Sequence, residues 1–337
     1  MKIGFFSAKH YDMQHFDRTN TALGQELGLE AVARIEYFDS RLCMQTIKLA
    51  YGFEVICAFV NDELSAEVLR ELHANGTRVI AMRCAGFNNV DLDTAKALGM
   101  TVVNVPAYSP ESVAEHTVAL MLTLNRKIHK AYQRTRDANF SLEGLVGFNM
   151  FGKTVGVIGT GKIGLATIRV LLGFGCKVVA FDPYRNPAVE ALGVPYLELD
   201  ELFPQCDIIS LHCPLTKDNH HLLRAETFAK MKPGTMVINT SRGGLLNAID
   251  AMEALKLGQI GSLGLDVYEN EKELFFEDKS NEVIQDDVFR RLSACHNVVF
   301  TGHQAFLTEE ALGAIARTTL GNVRAALSGE RSGNELF

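Results

Sequence analysis

Short apolar runs, rich in Val and Ile, recur along the chain and are separated by segments of helical length. The runs do not alternate apolar with polar residues, which is typical of strands that are buried on both faces of a parallel sheet. The first set of predicted strands is Lys2–Ser7, Ala33–Tyr37, Val55–Val60, Arg78–Arg83 and Thr101–Val105. The second set is Thr154–Ile158, Lys177–Phe181, Asp207–His212, Met236–Thr240, Leu263–Val267 and Val298–Thr301. This pattern predicts an α/β protein with two doubly wound parallel-sheet domains.

Two long helices are also predicted. Before the first, Ser109 suits the N-cap, Pro110 suits the first helical position and Glu111 suits the positive end of the helix dipole. Apolar residues then recur at helical spacing as far as Leu124. The last helical pattern, Thr308–Leu327, has no strand after it, so it can return to pack on the first domain.

A glycine-rich loop joins the first strand of the second set to a predicted helix. Gly159, Gly161 and Gly164 have the GxGxxG spacing, in which the glycines allow a tight turn, a close approach to a pyrophosphate and tight helix–strand packing. Asp182 ends the next predicted strand, where an acidic side chain can hold an adenosine ribose. Because Asp182 would repel a 2′-phosphate, the sequence predicts NAD rather than NADP. Arg185 is expected to face solvent.

The position of the glycine loop predicts the order of the domains. It lies near the middle of the chain, so the nucleotide-binding domain is expected to be inserted into the other domain. We predict residues 1–105 as the first part of a flavodoxin-like substrate domain, 106–303 as a Rossmann NAD domain and 304–337 as the C-terminal part of the substrate domain. Val105–Pro106 is a plausible hinge.

Composition narrows the class of protein. A net charge of −7 disfavours nucleic acid or an anionic membrane as the main partner. The first apolar run, Ile3–Phe6, breaks too early for a signal peptide, and no apolar run approaches the ~20 residues of a membrane span. The seven cysteines are scattered and never form CxxC, which favours reduced thiols in a cytoplasmic enzyme over oxidised pairs.

Polar side chains follow the predicted strands at the edge of the sheet where ligands of this fold class bind. Arg242 comes after Met236–Thr240, and its planar guanidinium can hold a carboxylate by two parallel hydrogen bonds. His303 follows the last strand and is a natural proton donor and acceptor near neutral pH. A neighbouring carboxylate would orient it, but spacing alone does not choose among the acids Asp266, Glu269, Glu271 and Glu273.

The other histidines carry weaker signals. His220–His221 and His212–Cys213 lack metal-ligand spacing with a second pair, so no metal site is predicted. His116 lies in a helical stretch and is expected to be a packed or solvated side chain. The sequence contains neither a GxSxG elbow nor a GxxxxGK[ST] phosphate loop.

Six stretches, in order along most of the chain, resemble the D-isomer-specific 2-hydroxyacid dehydrogenases. They are RCAGFNNVD (Arg83–Asp91), VPAYSP (Val105–Pro110), GTGKIG (Gly159–Gly164), NTSRG (Asn239–Gly243), LDVYENE (Leu265–Glu271) and GHQAF (Gly302–Phe306). The resemblance is strongest to lactate-forming members and implies reversible hydride transfer between NADH and pyruvate, giving D-lactate. It also implies a homo-oligomer, a dimer or tetramer, built on a dimer of nucleotide-binding domains.

The resemblance implies a role for each matching residue. Arg242 would bind the substrate carboxylate and polarise the carbonyl, His303 would be the acid/base, and Glu271 would be the carboxylate partner of His303. Backbone amides of Ala85 and Gly86 would help to hold the substrate carboxylate in a cleft between the domains.

The same resemblance implies the remaining binding residues. Tyr108 and Phe306 would form a small pocket for the substrate side chain, and Asp266 would contact the nicotinamide end of the cofactor. The other implied cofactor contacts are Gly159, Gly161, Lys162, Ile163, Gly164, Asp182, Cys213, Pro214, Asn219, Thr240 and Ser241.

The chain departs from many relatives that act on larger acids, which carry a proline before the catalytic histidine and a short link between glutamate and histidine. Here Gly302 precedes His303, and 31 residues separate Glu271 from His303. The longer link, with its segment Leu274–Asp278, resembles that of the lactate-forming subgroup. It therefore argues against glycerate or phosphoglycerate as the substrate.

Two other functions remain open at this stage. The first is a dinucleotide-sensing corepressor, which would be expected to carry a disordered tail or an exposed peptide groove. The second is a dehydrogenase for a different 2-keto acid. An assay with pyruvate and NADH separates the first from an enzyme, and a comparison of keto acids separates the second.

Overall fold

The computed structural model of the protein describes residues 2–337, apart from the side chain of Glu273. These residues divide into two compact units. The first unit consists of the chain up to Ser109 together with Leu307–Phe337, and the second unit is Pro110–Phe306. One unit is therefore inserted into the other along the sequence.

The first boundary between the units lies after Ser109, four residues beyond the predicted 105, and the second lies after Phe306, three residues beyond the predicted 303. Val105 stays with the first unit because its N–H donates to the carbonyl of Cys84 (3.1 Å). Residues 304–306 stay with the second unit because two of their N–H groups donate to the buried carboxylate of Asp266. The assignment of substrate binding to the first unit stays a prediction.

The first unit contains a five-stranded parallel sheet with the order β2-β1-β3-β4-β5. Its strands are β1 (Lys2–Phe5), β2 (Arg34–Tyr37), β3 (Val55–Ala58), β4 (Val79–Met82) and β5 (Thr101–Val103). Its helices are α1 (His10–Glu26), α2 (Ala66–Ala74), α3 (Leu92–Ala97) and α12 (Glu309–Leu327), with a 3₁₀ turn at Ile47–Ala50. This strand order is the flavodoxin-like order, and α12 returns to pack on α1, β4 and β5.

The second unit contains a six-stranded parallel sheet with the order β11-β10-β9-β8-β6-β7. Its strands are β6 (Thr154–Ile158), β7 (Lys177–Phe181), β8 (Ile208–Leu211), β9 (Thr235–Asn239), β10 (Ile260–Leu265) and β11 (Val298–Phe300). A single parallel bridge between Ala180 and Tyr196 extends the sheet beyond β7. Counting Tyr196 as a third strand, the order is 3-2-1-4-5-6-7, the Rossmann order with one strand added.

Helices cover the sheet of the second unit. They are α4 (Pro110–Arg126), α5 (Ile128–Arg136), α6 (Lys162–Gly173), α7 (Pro187–Glu190), α8 (Leu199–Leu202), α9 (Ala225–Phe228), α10 (Ala248–Lys256) and α11 (Asp287–Ala294), with 3₁₀ turns at Phe203–Gln205, Gly243–Leu245 and Glu271–Glu273. Successive residues of a strand pack on opposite faces of the sheet. Val237 lies in one apolar cluster, and its neighbours Met236 and Ile238 lie in another. Both faces of the sheet are therefore buried, which explains the unbroken apolar runs in the sequence.

Candidate active site

Three neighbouring strands, β9, β10 and β11, deliver the candidate catalytic residues. Arg242 follows β9, Glu271 follows β10 and His303 follows β11. Because all three strands are parallel, their carboxyl ends meet at one edge of the sheet, which is where ligands of doubly wound folds bind. The fold therefore brings together residues that are up to 61 positions apart in sequence.

His303 and Glu271 form a close pair. Nδ1 of His303 lies 2.7 Å from Oε1 of Glu271, and the two side chains are 22% and 23% exposed. The second carboxylate oxygen of Glu271 accepts a hydrogen bond from the N–H of Tyr268 (2.9 Å), which fixes the carboxylate. With Nδ1 held by Glu271, the imidazole presents Nε2 as the nitrogen that can exchange a proton with a substrate.

A second carboxylate holds the backbone around the histidine. Asp266 is fully buried, and its side chain accepts hydrogen bonds from the N–H groups of Gln304 and Ala305, both at 2.9 Å. Its carbonyl accepts from the N–H of His303 (2.8 Å). His303 has a φ of 54°, an unusual value for a residue with a side chain, so these bonds stabilise a strained turn.

The loop after β9 is packed tightly against the loop after β10. A Cβ atom at Gly243 would lie 2.1 Å from the carbonyl carbon of Tyr268, so only glycine fits beside Arg242. The side-chain amide of Asn239 donates to the carbonyl of Arg242 (2.8 Å), and the guanidinium donates to the carbonyl of Ser241 (2.7 Å). Among the ion pairs between described residues, none involves Arg242, so its charge is not neutralised by a neighbouring carboxylate.

The glycine loop has the geometry that a dinucleotide pyrophosphate requires. Gly159 has a φ of 98°, and a Cβ atom there would lie 2.5 Å from the backbone of Cys213. A Cβ atom at Gly164 would lie 2.0 Å from the carbonyl oxygen of Gly159, whereas one at Gly161 would meet no atom within 4 Å. The first and third glycines are thus required by packing, and the second leaves open space at the N-terminus of α6, where free N–H groups attract phosphate. The helix begins at Lys162, followed by Ile163.

Asp182 lies at the carboxyl end of β7 and contacts the glycine loop. Its Oδ2 accepts hydrogen bonds from the N–H and hydroxyl of Thr160 (2.7 and 3.1 Å), and its Oδ1 accepts from the N–H of Tyr184 (2.9 Å). A carboxylate has about four acceptor positions, so about one position remains for a ribose hydroxyl. Arg185 is exposed, and its guanidinium lies over the ring of Tyr196 at 5.5 Å.

The remaining predicted cofactor residues lie in the loops after β8 and β9. The hydroxyl of Ser241 donates to the carbonyl of Cys213 (2.5 Å), and the side-chain amide of Asn219 donates to the carbonyl of Pro214 (2.8 Å). Thr240 is buried, and its hydroxyl lies 2.8 Å from that of Thr117 on α4. Burial raises the pKa of the Cys213 thiol to about 11, so this cysteine stays protonated.

The predicted substrate residues are divided between the units. Ala85, Gly86 and Tyr108 belong to the first unit, and Phe306 is the last residue of the second. The carbonyl of Ala85 accepts from the amide of Asn104 (2.9 Å), so the loop is held through its oxygen atoms. The roles of these four residues stay predictions.

Sequence reasoning missed three groups of residues near the site. His116, expected to be merely packed or solvated, has its Nε2 3.0 Å from the hydroxyl of Thr301 and 3.4 Å from Asp266. The ring of Phe276 lies 5.8 Å from the ring of His303. In neither case does the sequence spacing signal the contact, because it depends on how the elements pack.

The third group is His220, His221 and Glu269. The two imidazole rings stack at 3.8 Å, and both Nε2 atoms lie 3.0 Å from the Glu269 carboxylate. Together they have the ligand types of a metal site, although the histidine spacing predicted none. The amide of Asn247 lies 3.4 Å from Nδ1 of His221, and its oxygen caps α10, so the amide presents its N–H. In a neutral His221 this contact would place the ring proton on Nε2, which lies beside Glu269.

Comparison with known proteins defines the class to which this site belongs. Residues 118–305 match the NAD binding domain of the D-isomer specific 2-hydroxyacid dehydrogenases. The chain therefore belongs to the D-isomer specific 2-hydroxyacid dehydrogenase family, as its motifs indicated, and its cofactor is NAD.

Individual relatives cover the whole chain. D-lactate dehydrogenase of Escherichia coli (strain K12) is 60% identical over 336 residues, which is 100% of both chains. The apo-structure of D-lactate dehydrogenase from Escherichia coli matches with a TM-score of 0.90, 56% identity and 100% of both chains. D-lactate dehydrogenase from Aquifex aeolicus, solved with NAD and lactic acid, matches with a TM-score of 0.85 and 32% identity over 99% of this chain and 98% of that one. The chain contains no helix long and apolar enough to span a membrane, within residues 2–337.

Proposed function

We propose that this protein is an NAD-dependent D-lactate dehydrogenase that interconverts pyruvate and D-lactate. The observation that carries the proposal is the His303–Glu271 pair at 2.7 Å, on the same sheet edge as the un-neutralised Arg242 and in an NAD-binding unit. Full-length identity of 60% to a D-lactate dehydrogenase supports pyruvate as the substrate and the D configuration of the product. The long link of 31 residues between Glu271 and His303 also favours the lactate-forming subgroup.

Arg242 binds the substrate carboxylate in this mechanism. The guanidinium offers parallel N–H donors that match the two oxygens of a carboxylate, and Arg242 is not engaged in an ion pair with a described residue. Binding at this position also places positive charge beside the keto group. The charge stabilises the negative charge that develops on the carbonyl oxygen as the carbonyl carbon is reduced.

His303 supplies the proton for reduction and accepts it in the reverse direction. Glu271 holds Nδ1 and so fixes the ring, which leaves Nε2 to exchange the proton with the substrate oxygen. The pair acts where negative charge appears in the transition state, which gives the largest effect on rate.

The residues of the second unit fit NAD. Gly161 leaves open space at the start of α6 for the pyrophosphate, and Asp182 keeps about one acceptor position for a ribose hydroxyl. We propose that Cys213, Thr240 and the other residues after β8 and β9 line the nicotinamide end. When bound, the nicotinamide donates or accepts the hydride. Asp266 accepts hydrogen bonds from Thr301, Gln304 and Ala305 and so holds the turn that carries His303, and its contact with the nicotinamide end stays a prediction.

The carboxylate of Asp182 leads to a prediction about cofactor preference. A 2′-phosphate on the ribose would meet a like charge at this position, and such contacts cost several kcal/mol. We expect kcat/KM for NADPH to be at least about 10²-fold lower than for NADH, measured with saturating pyruvate. Comparable values for the two cofactors would contradict this role of Asp182.

The substrate is tested by steady-state kinetics with a panel of 2-keto acids. Purified protein and NADH are combined with pyruvate, hydroxypyruvate or phenylpyruvate, and the hydroxy acid is analysed for its configuration. We expect the highest kcat/KM with pyruvate and a product that is D-lactate. Faster turnover of phenylpyruvate or hydroxypyruvate would show that the protein is a dehydrogenase for another 2-keto acid. No turnover with any keto acid would favour the corepressor alternative.

We further propose that the protein acts as a homo-oligomer. Several large apolar side chains on α5 and the loop after it are exposed, which is uncommon on a monomer. They are Ile128, Tyr132, Phe140, Leu142, Val146 and Phe151, with exposures between 53% and 83%. Such a surface can pair with the same surface of a second copy in a symmetric dimer. None of the seven cysteines, all of them among the described residues, forms a disulfide, which is consistent with a cytoplasmic setting.

Sedimentation measurements test this surface. We expect the double variant Phe140→Lys, Leu142→Lys to sediment at a lower mass than the wild type at micromolar concentration, because lysines would be buried without partners. Leu257→Lys, at an equally exposed position of the same unit, should leave the mass unchanged. A wild-type protein that is monomeric at this concentration would contradict the proposal.

A further inference from the structure

The position of His116 is fixed by the core of the second unit. It lies on α4, whose neighbouring residues Thr117, Leu120 and Met121 are buried, and α4 packs against β9, β10 and β11. The imidazole is only 19% exposed. From this helix it reaches the carboxyl ends of β10 and β11, where the acid/base turn begins.

Donor and acceptor can be assigned for each hydrogen bond between His116, Thr301 and Asp266. The hydroxyl of Thr301 lies 2.5 Å from Oδ1 of Asp266 and 3.0 Å from Nε2 of His116. An ionised carboxylate can only accept, so the single hydroxyl proton of Thr301 is donated to Asp266. The hydroxyl oxygen must therefore accept from His116, whose Nε2 carries a proton. His116 thus donates to Thr301, and Thr301 donates to Asp266.

Asp266 needs these donors because it is fully buried. Burial raises the pKa of Asp266, but the nearby His116 (3.4 Å) and the hydrogen bonds from Thr301 and the backbone N–H groups outweigh burial and hold the pKa below its usual value. An ionised Asp266 is the acceptor that binds the N–H groups of Gln304 and Ala305. Loss of a donor to a buried carboxylate weakens the other bonds of the same network.

We propose that His116 is a positioning residue for the acid/base turn, and that it fixes the backbone at His303 through Thr301 and Asp266. His303 has its φ in the left-handed region, so this turn relaxes unless it is held. Two carboxylates then position His303 together. Glu271 orients the imidazole ring, and Asp266, supported by His116, orients the backbone. The effect on turnover rests on the proposed dehydrogenase function, but the effect on the turn does not.

The test compares His116→Leu, which lacks the donor, with His116→Gln, whose amide N–H reaches about as far as Nε2. Hydrogen exchange of the Gln304 and Ala305 amides reports the turn directly, and steady-state kinetics report its effect on catalysis. In His116→Leu we expect exchange of both amides to be at least about 10-fold faster and kcat to fall about 10-fold, with KM for NADH within about twofold of wild type. His116→Gln should restore both measurements to near the wild-type values.

Two further variants control for stability. His73→Leu makes the same change on α2 of the first unit and should alter neither measurement. Thr301→Val breaks the connection while His116 remains, so it should reproduce the exchange of His116→Leu even if that variant folds poorly. The inference is overturned if the two amides keep their protection in a folded His116→Leu or Thr301→Val protein, or if kcat falls without faster exchange. A wild type that reduces no keto acid would instead refute the proposed function and leave the exchange result to decide the inference.

Discussion

Replacing His303 by Gln should lower kcat for pyruvate reduction by about 10²–10⁴, the usual contribution of a general acid. Glutamine can keep a hydrogen bond to Glu271 but cannot deliver a proton to the substrate oxygen. NADH should bind with nearly the wild-type Kd, because the glycine loop and Asp182 are on other strands. Stopped-flow measurement of turnover, with NADH binding followed by fluorescence, separates the two effects.

A matched control for this variant lies at the other end of the same strand, β11. His296 is exposed and precedes β11 at the opposite end from His303. His296→Gln should therefore keep wild-type turnover. If His303→Gln remained as active as His296→Gln, another group would have to be the proton donor.

Replacing Arg242 by Lys should raise KM for pyruvate by about 10- to 100-fold, because one charge-assisted hydrogen bond contributes about 1.5–3 kcal/mol. Lysine keeps the positive charge but loses the planar pair of donors that matches a carboxylate. We also expect kcat to fall, since the charge no longer lies in a fixed position beside the keto group. Initial rates over a wide range of pyruvate concentrations determine both constants.

Arg224→Lys is the matched control for the arginine. Arg224 is exposed and pairs with Glu226, so this substitution should change neither KM nor kcat. A KM for pyruvate that stays unchanged in Arg242→Lys would mean that the substrate carboxylate binds elsewhere.

The fold could be predicted from the sequence because strands of a parallel sheet are buried on both faces and therefore appear as unbroken apolar runs. Each predicted strand is present, and the fold class is confirmed, but several strands end earlier than predicted. In β1, the apolar run continues to Phe6, whereas pairing stops at Phe5 and Ser7 has a φ of 51°. Apolar composition therefore predicts burial, but the end of a strand is set by where the backbone turns.

Residues of the candidate site could be predicted from the sequence where they lie in a local motif or directly after a predicted strand. The glycine loop and Asp182 are recognised by their local spacing, and in the structure hydrogen bonds from Thr160 to Asp182 join them. The choice of Glu271 as the partner of His303 came from the resemblance, and the contact now supports it. His116 was not predictable, because its contact with Thr301 spans 185 residues and depends on the packing of α4.

Distance from the end of β10 also distinguishes Asp266 from Glu271. Both follow β10, but Asp266 is fully buried and holds backbone N–H groups, whereas Glu271 is partly exposed and holds an imidazole. A sequence shows two acids five residues apart and does not show which one faces the ring.

The most direct test is a crystal structure of the protein with NADH and oxamate, an unreactive analogue of pyruvate. The account predicts that the oxamate carboxylate is bound by the guanidinium of Arg242 and that Nε2 of His303 lies within hydrogen-bond distance of the oxamate oxygen equivalent to the keto oxygen. It also predicts that the nicotinamide faces the carbon to be reduced. An analogue bound away from Arg242, or with His303 directed elsewhere, would contradict it.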